Sequence, residues 1–331
     1  LHSHMNLDRD IHRKTLWSFM VNLAYGVTTA RDPQSMDINI FTYADRVAVG
    51  DMIGPRVFTT GPGIFNNSPV NNLEDAKRIV QKYSDYYRVN TVKQYLSGNR
   101  RHRQLLNIAI QDAQLIPTTE GMDMKLMVTQ IMDGYSLEHT LPHYPLYKDM
   151  IELIVQSGTY YDPTVIVGTG PRAEYYYWTR TDVHGNKKLN HFFPHDILDL
   201  QTRRVPWFHE SEFSYKEYAK TFKNIVNAGG KIGVGSHGEM QGICYHWELW
   251  NIQSGGMSEM DALRCATIIG SEAIGFSNDL GSIEEGKLAD LILLTKNPLD
   301  NIRNTNSIKY VMKNGILYDA DSLDEVWPTI K

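Results

Sequence analysis

Two histidines separated by one serine, His2 and His4 in LHSHMN, share a face if the segment is extended, because strand side chains alternate with a period of two. Other groups able to bind a metal or move a proton stand at the ends of β-type runs: Lys93 in TVKQY, Glu120 in LIPTTEG, His139 in SLEHTL and His237 in KIGVGSHG. Neutral imidazole and carboxylate suit zinc and similar divalent ions, and catalytic sites of that kind keep one position open for water. Each residue also has a plainer reading. Lys93 can pair with Glu120, Glu120 can hold a helix N-terminus, His139 can be a satisfied core histidine, and His237 can simply tolerate an unusual backbone in a glycine-rich turn.

Residues so far apart converge only if the elements that carry them are arranged to bring them together. The strand candidates are LHSH, GVTTARD (26–32), RVFTTGPG (56–63), TVKQY (91–95), LIPTTEG (115–121), SLEHTL (136–141), YYDPTVIV (160–167) and KIGVGSHG (231–238). Between them lie the helical patterns HRKTLWSFMVNLAYG, LEDAKRIVQKYSDYY, RQLLNIAIQDAQ, MKLMVTQIMDG and YKEYAKTFKNIVNAGG, several ending in glycine as helix C-termini commonly do. The alternation predicts an α/β fold, a (β/α)8 TIM barrel whose strand C-termini face one pocket; a doubly wound open sheet is the alternative it leaves. An aromatic-rich insertion, residues 168–214, breaks the pattern and is expected to overhang the pocket. Within it Tyr176 and Trp178 read as an aromatic wall and Arg172 as a bidentate partner for a substrate carboxylate. The plainer reading is that these aromatics cover the barrel mouth or meet another domain. His246 opens a helix after the last strand and stands, with Glu239, as a further group within reach.

Length and composition bound the rest. The 331 residues hold a barrel of about 250 residues with material left over. The barrel is placed at 1–280 and a second group of strands at 281–331, where Asn314-Gly315 between alternating apolar residues predicts a hairpin. No stretch approaches the roughly 20 apolar residues of a membrane span, and the net charge of −5 gives no basic surface for nucleic acid. Only Cys244 and Cys265 occur, so disulfides are not the scaffold. The chain begins as if inside a strand, which predicts a fragment of a longer polypeptide. Localisation stays open, with a periplasmic or secreted setting ahead of a cytoplasmic one.

LHSH, NLAYGVTTARD, VKQYLSGNR, LEHTLP and DALRCATIIGSEAIGFSNDLGSIEEGKLADLILLTKNPL resemble the amidohydrolase superfamily, and the resemblance runs over nearly the whole chain. GVGSHGEMQGICYHWELW and IRNTNSIKYVMKNGILYDADSLDEVWP resemble the amidohydrolase domains that follow a TolB-like β-propeller in large bacterial proteins. The resemblance implies a distorted (β/α)8 barrel. It makes the C-terminal strands part of a small β-sandwich whose N-terminal part is missing, with a propeller in the same polypeptide. It implies His2 and His4 as the first-strand metal pair, Lys93 as the fourth-strand lysine, carboxylated in many members, and His139 as the sixth-strand ligand. One or two divalent ions, zinc or similar, would be held there.

Two positions depart from that family's pattern. Thr118 stands where the fifth strand usually carries a ligand histidine, with Glu120 beside it; His237 stands where the eighth strand usually carries the aspartate that acts as general base. The expectation is a swapped pair, Glu120 supplying the carboxylate and His237 a ligand or proton shuttle. The implied activity is hydrolysis of amide-type bonds (peptides, N-acyl amino acids or cyclic amides, with esters not excluded) through a metal-activated hydroxide. The substrate is a small molecule or short peptide, and a homo-oligomer is left open. The alternative is a catalytically inactive binding or sensor domain beside the propeller.

Overall fold

A computed structural model describes residues 2–5, 15–35, 38–65, 69–121, 123–139, 144–168 and 170–328. Seven short strands follow in chain order: β1 (Thr29–Asp32), β2 (Arg56–Thr59), β3 (Thr91–Gln94), β4 (Ile116–Glu120), β5 (Ser136–Glu138), β6 (Tyr160–Asp162) and β7 (Lys231–Ile232). Each falls inside an expected run. β1 pairs with β2, and β3 to β7 pair in sequence order; every one of these pairs is parallel. Parallel strands need crossovers, which here are helices such as Leu73–Gln81, Arg100–Asp112 and Met124–Met132. Asn72, Asn99 and Asp123 cap those three helices through their side chains, so each turn off the sheet is encoded locally. The fold is mixed α/β with a parallel sheet.

Two short extended pieces complete the pairing. Ser3 N–H donates to Arg31 O at 3.2 Å, His237 N–H to His2 O at 2.8 Å and His4 N–H to His237 O at 3.2 Å. Residues 2–5 therefore lie between β1 and the continuation of β7. Ile64, beyond β2, exchanges backbone bonds with Lys93 and Tyr95 across β3. Residues 2–5 form only an isolated bridge, less than the expected strand, and Leu1 lies outside the described residues.

The LEDAKRIVQKYSDYY pattern is α-helical through Gln81 and then widens into a π-turn, Lys82–Tyr87, closed by Arg88 at φ 52°. The wider turn keeps Tyr83 buried and stacks Tyr87 on Phe41. The first helical pattern forms a helix over Trp17–Ala24, and its residues 12–14 lie outside the described ones. The insertion folds into short helices, Ala173–Trp178, Lys187–Phe192 and His195–Thr202. Its Tyr177, Trp178, Phe192 and Phe213 join the main hydrophobic core.

The C-terminal strands β8 (Leu291–Leu294), β9 (Ile308–Lys313), β10 (Ile316–Asp319) and β11 (Glu325–Trp327) form an antiparallel sheet in the order β11-β10-β9-β8. Asn314 at φ 52° and Gly315 at φ 79° make the expected two-residue hairpin. Only this one sheet is seen there among the described residues, not the two of a sandwich. A pocket of about 270 Å³ beside it is lined by Tyr25, Tyr245, His246, Ser271 and Ile292 among others, and Arg56 of β2 joins the two parts directly through Asp290. Among the described residues no helix is long and apolar enough to cross a membrane.

One close approach holds residues 2–5 in place. A Cβ at Gly235 would stand 2.5 Å from both Asp162 Oδ2 and the His2 backbone nitrogen, so only glycine lets the β7 continuation pass between them. Gly235→Ala is expected to lower stability by about 1–3 kcal/mol, read as a shift of the urea midpoint; an unchanged midpoint would contradict this packing.

Candidate metal centre

His2, His4, His139 and His237 meet in one cluster. Ring centroids lie 4.9 Å apart for His2–His4, 4.7 Å for His2–His139, 4.9 Å for His2–His237 and 5.2 Å for His139–His237. His2 and His4 share a side because two residues of extended chain separate them. His139 and His237 reach the cluster by another route: both leave their strands in the left-handed region, at φ 74° and 61°. For non-glycine residues that backbone is uncommon and clusters at functional sites.

Every imidazole is held from behind at Nδ1. His2 Nδ1 lies 2.7 Å from Glu138 Oε2, His4 Nδ1 3.1 Å from Gln34 O, His139 Nδ1 2.9 Å from Thr164 Oγ1 and His237 Nδ1 3.0 Å from Glu239 Oε1. The Nε2 atoms are left for the centre, where His2 and His4 approach at 3.3 Å. One ligand nitrogen from each of His2, His4 and His237 lies within 4.8 Å of the others. Burial lowers the His2 imidazole well below its ordinary range against the pull of Glu138, and burial likewise lowers His237. Both are thus held neutral, the form that binds a metal. The donor set fits a divalent transition ion, since metal-ligating histidines are oriented in this way by a partner on the second nitrogen.

The register of the sheet supplies the carboxylates. Glu120, Glu138 and Asp162 are direct partners across β4, β5 and β6, so their acids stand in a row at the strand ends. Glu138, 1% exposed, is the hub: besides His2 it meets Arg31 Nη2 at 2.8 Å and Lys93 Nζ at 3.1 Å. Burial raises its carboxyl, but Arg31, Lys93 and His2 together outweigh burial and hold it well below the carboxylate range. Glu120 Oε2 lies 3.2 Å from His139 Nε2 and 3.4 Å from Lys93 Nζ. Burial opposes these partners there too, and the net shift is downward, so the carboxylate stays ionised.

Sequence reasoning passed over Glu138 and Arg31. Strand alternation places Glu138 on the opposite face from His139, and the left-handed turn at His139 breaks that alternation. The signal open to a reader was charge: three ionisable groups, Arg31, Asp32 and Glu138, inside runs that otherwise read as buried strand.

The substrate-side expectations are placed differently. Arg172 stands beside the cluster, but its guanidinium is occupied, Nη2 on Glu239 at 3.0 Å and Nε on Glu174 at 2.9 Å. Tyr176 packs on Tyr177 and Phe213 of the insertion and on Tyr215 at the start of the next helix, and Trp178 is buried edge-on against Trp247. Trp178 belongs to the core, and Tyr176, partly buried, packs against it. His246 is buried away from the four-histidine cluster, bonded to Thr305 Oγ1 at 3.1 Å and Tyr25 O at 2.9 Å, beneath the C-terminal sheet. It is a satisfied structural histidine, which helix placement alone did not distinguish from a group reaching the site.

A parallel sheet with helical crossovers gathers imidazoles, carboxylates and a lysine at its strand ends, and comparison supplies the family. The amidohydrolase family model matches residues 123–317, and the chain belongs to that family. A stretch of 110 residues is 28% identical to ochratoxinase from Aspergillus niger, spanning 32% of this chain and 23% of that enzyme's length. A crystal structure of a Xaa-Pro dipeptidase with bound methionine superposes with a TM-score of 0.67 at 21% identity, over 91% of this chain and 77% of that one. Molinate hydrolase gives 0.69 at 17% identity, over 92% and 75%. These likenesses fit a TIM-barrel-like fold.

The Glu138 hub has a measurable consequence. Arg31→Met removes one partner of a buried ion pair while keeping its volume, and is expected to lower unfolding free energy by about 3 kcal/mol. Denaturant titration reads it, and a neutral result would show that Lys93 alone suffices for Glu138.

Proposed function

We propose that this chain is a metal-dependent hydrolase of amide-type carbon–nitrogen bonds. The observation that carries the reading is the set of four imidazoles, each gripped at Nδ1 with Nε2 turned inward. His2, His4, His139 and His237 would hold one or two divalent ions, with Glu120 and Lys93 on the adjoining side. A bound divalent ion supplies two things: it lowers the pKa of water from about 16 towards about 7, and it polarises a carbonyl.

The residues of the chain do the rest. Glu120, ionised between His139 and Lys93, accepts the proton of the attacking water and returns it to the leaving nitrogen; such help is typically worth about 10²–10⁴-fold. His237 is held at Nδ1 by Glu239, which leaves its Nε2 for the ion. Lys93 keeps the two carboxylates of Glu120 and Glu138 together. Its uncharged form is the one open to carboxylation.

The backbone bonds of residues 2–5 to both β1 and His237 support a distorted barrel closed through that segment. We read residues 1–280 as the barrel and 281–331 as one sheet of a small sandwich. The substrate class we favour is short peptides and N-acyl amino acids, on the analogy of the Xaa-Pro dipeptidase fold. Arg172, already matched by two glutamates, is not assigned to bind a substrate carboxylate.

The experiment is metal analysis of the purified protein and a panel of dipeptides, N-acyl amino acids, cyclic amides and esters, with and without 1,10-phenanthroline. At least one equivalent of divalent ion and chelator-sensitive turnover are expected. Metal-free protein from metal-replete growth, with no chelator-sensitive turnover, would favour a binding module instead. Glu120→Ala is expected to cut kcat by about 10²–10⁴-fold; unchanged metal content and turnover in that variant would refute the exchange of acid and imidazole between strands.

A further inference from the structure

Glu248 and the backbone of Thr164 have no part in the chemistry above. Glu248, on the helix Ile243–Gln253, carries a carboxyl group with no exposed surface, and its two oxygens accept the backbone N–H groups of Val165 at 2.7 Å and Ile166 at 2.8 Å. Burial pushes its carboxyl up to about 8, with those two donors pulling the other way. Thr164, immediately before them, is β-branched yet adopts φ 43°, ψ 53°, a conformation such residues rarely take. Its hydroxyl is the group that meets His139 Nδ1 at 2.9 Å.

The two features are one device. Glu248 fixes the start of the turn Val165–Val167 by gripping two successive N–H groups. Those two bonds hold the backbone on the C-terminal side of Thr164, and Thr164 itself stands in the left-handed region. From there its Oγ1 backs His139, whose Nε2 then faces Glu120 at 3.2 Å. Relaxed into an ordinary extended backbone, Thr164 would carry its side chain to the other side of the chain and leave His139 Nδ1 without this partner.

We propose that Glu248 and Thr164 are positioning residues that set the orientation of the His139 ring through a strained turn. Neither touches the reacting atoms. The proposal rests on the metal-site reading only for its first measurement.

That measurement is zinc affinity, by competition with a chromophoric chelator, on four variants alongside melting temperature. Thr164→Val, equal in shape but without the hydroxyl, is expected to weaken zinc binding by about 10–100-fold with little change in melting temperature. Thr164→Ser restores the affinity, because it returns the hydroxyl. Glu248→Gln moves affinity in the same direction as Thr164→Val, since its amide NH2 would face one of the two N–H groups. The double variant loses no more than the larger single loss, as coupled residues do.

Wild-type affinity in Thr164→Val, equal losses in Thr164→Val and Thr164→Ser, or additive losses in the double variant would overturn the proposal. If Thr164→Val does not fold, Glu248→Gln with Thr164→Ser carries the same decision. If the wild-type chain binds no zinc, the functional reading fails by itself. Positioning is then read from the ¹⁵N shifts of the His139 imidazole, which Glu248→Gln and Thr164→Val must move and Thr164→Ser must leave in place.

Discussion

Four imidazoles packed ring against ring repel one another if charged and turn at random if unheld. The structure depends on meeting both conditions at once. Burial keeps His2 and His237 neutral, and a separate acceptor or hydroxyl behind each ring fixes which nitrogen faces inward. The four backing groups come from four different parts of the chain: Gln34 after β1, Glu138 at the end of β5, Thr164 after β6 and Glu239 after β7. Disturbing any of these strand ends therefore reaches the centre through a single side chain.

Glu138 shows how costly that arrangement is and how it is sustained. An isolated carboxylate at this depth would be driven to take up a proton. Here a guanidinium, an ammonium and an imidazole surround it, and the balance lies with the charged form. Buried networks of this kind are stable only when complete, because one missing partner leaves an uncompensated charge. Lys93 serves two carboxylates in this network, which ties the state of the β3 end to that of β4 and β5.

The insertion contributes rigidity more than contact. Tyr177, Trp178, Phe192 and Phe213 belong to the main core, and among the described residues the insertion reaches the cluster through the chain Glu174–Arg172–Glu239–His237 and through Gln201 Nε2, which donates to Glu239 O at 2.8 Å. An arginine placed between two glutamates offers little field to an anion, so the residue most suggestive of carboxylate binding in the sequence acts in the structure as a strut. His246 and Trp178 moved from site to core for a similar reason: a helix or loop position says nothing about which side of it faces the sheet.

The sequence by itself determined the strand runs, their order and the chemistry of their ends. Each described strand of the parallel sheet falls inside a run that periodicity marks, the caps Asn72, Asn99 and Asp123 stand where helices begin, and the Asn314-Gly315 hairpin follows from the ease with which those two residues take a positive φ. These are local matters, decided by side-chain alternation and capping within a few residues. Tertiary structure alone decided which polar groups meet. Glu138 joins His139 on one face because a left-handed residue breaks the alternation. Glu120, Glu138 and Asp162 stand side by side because of inter-strand register, and Thr164 reaches His139 because Glu248, more than eighty positions later, grips the turn beside it. Such contacts depend on backbone exceptions and on partners distant in sequence, and neither leaves a periodic mark.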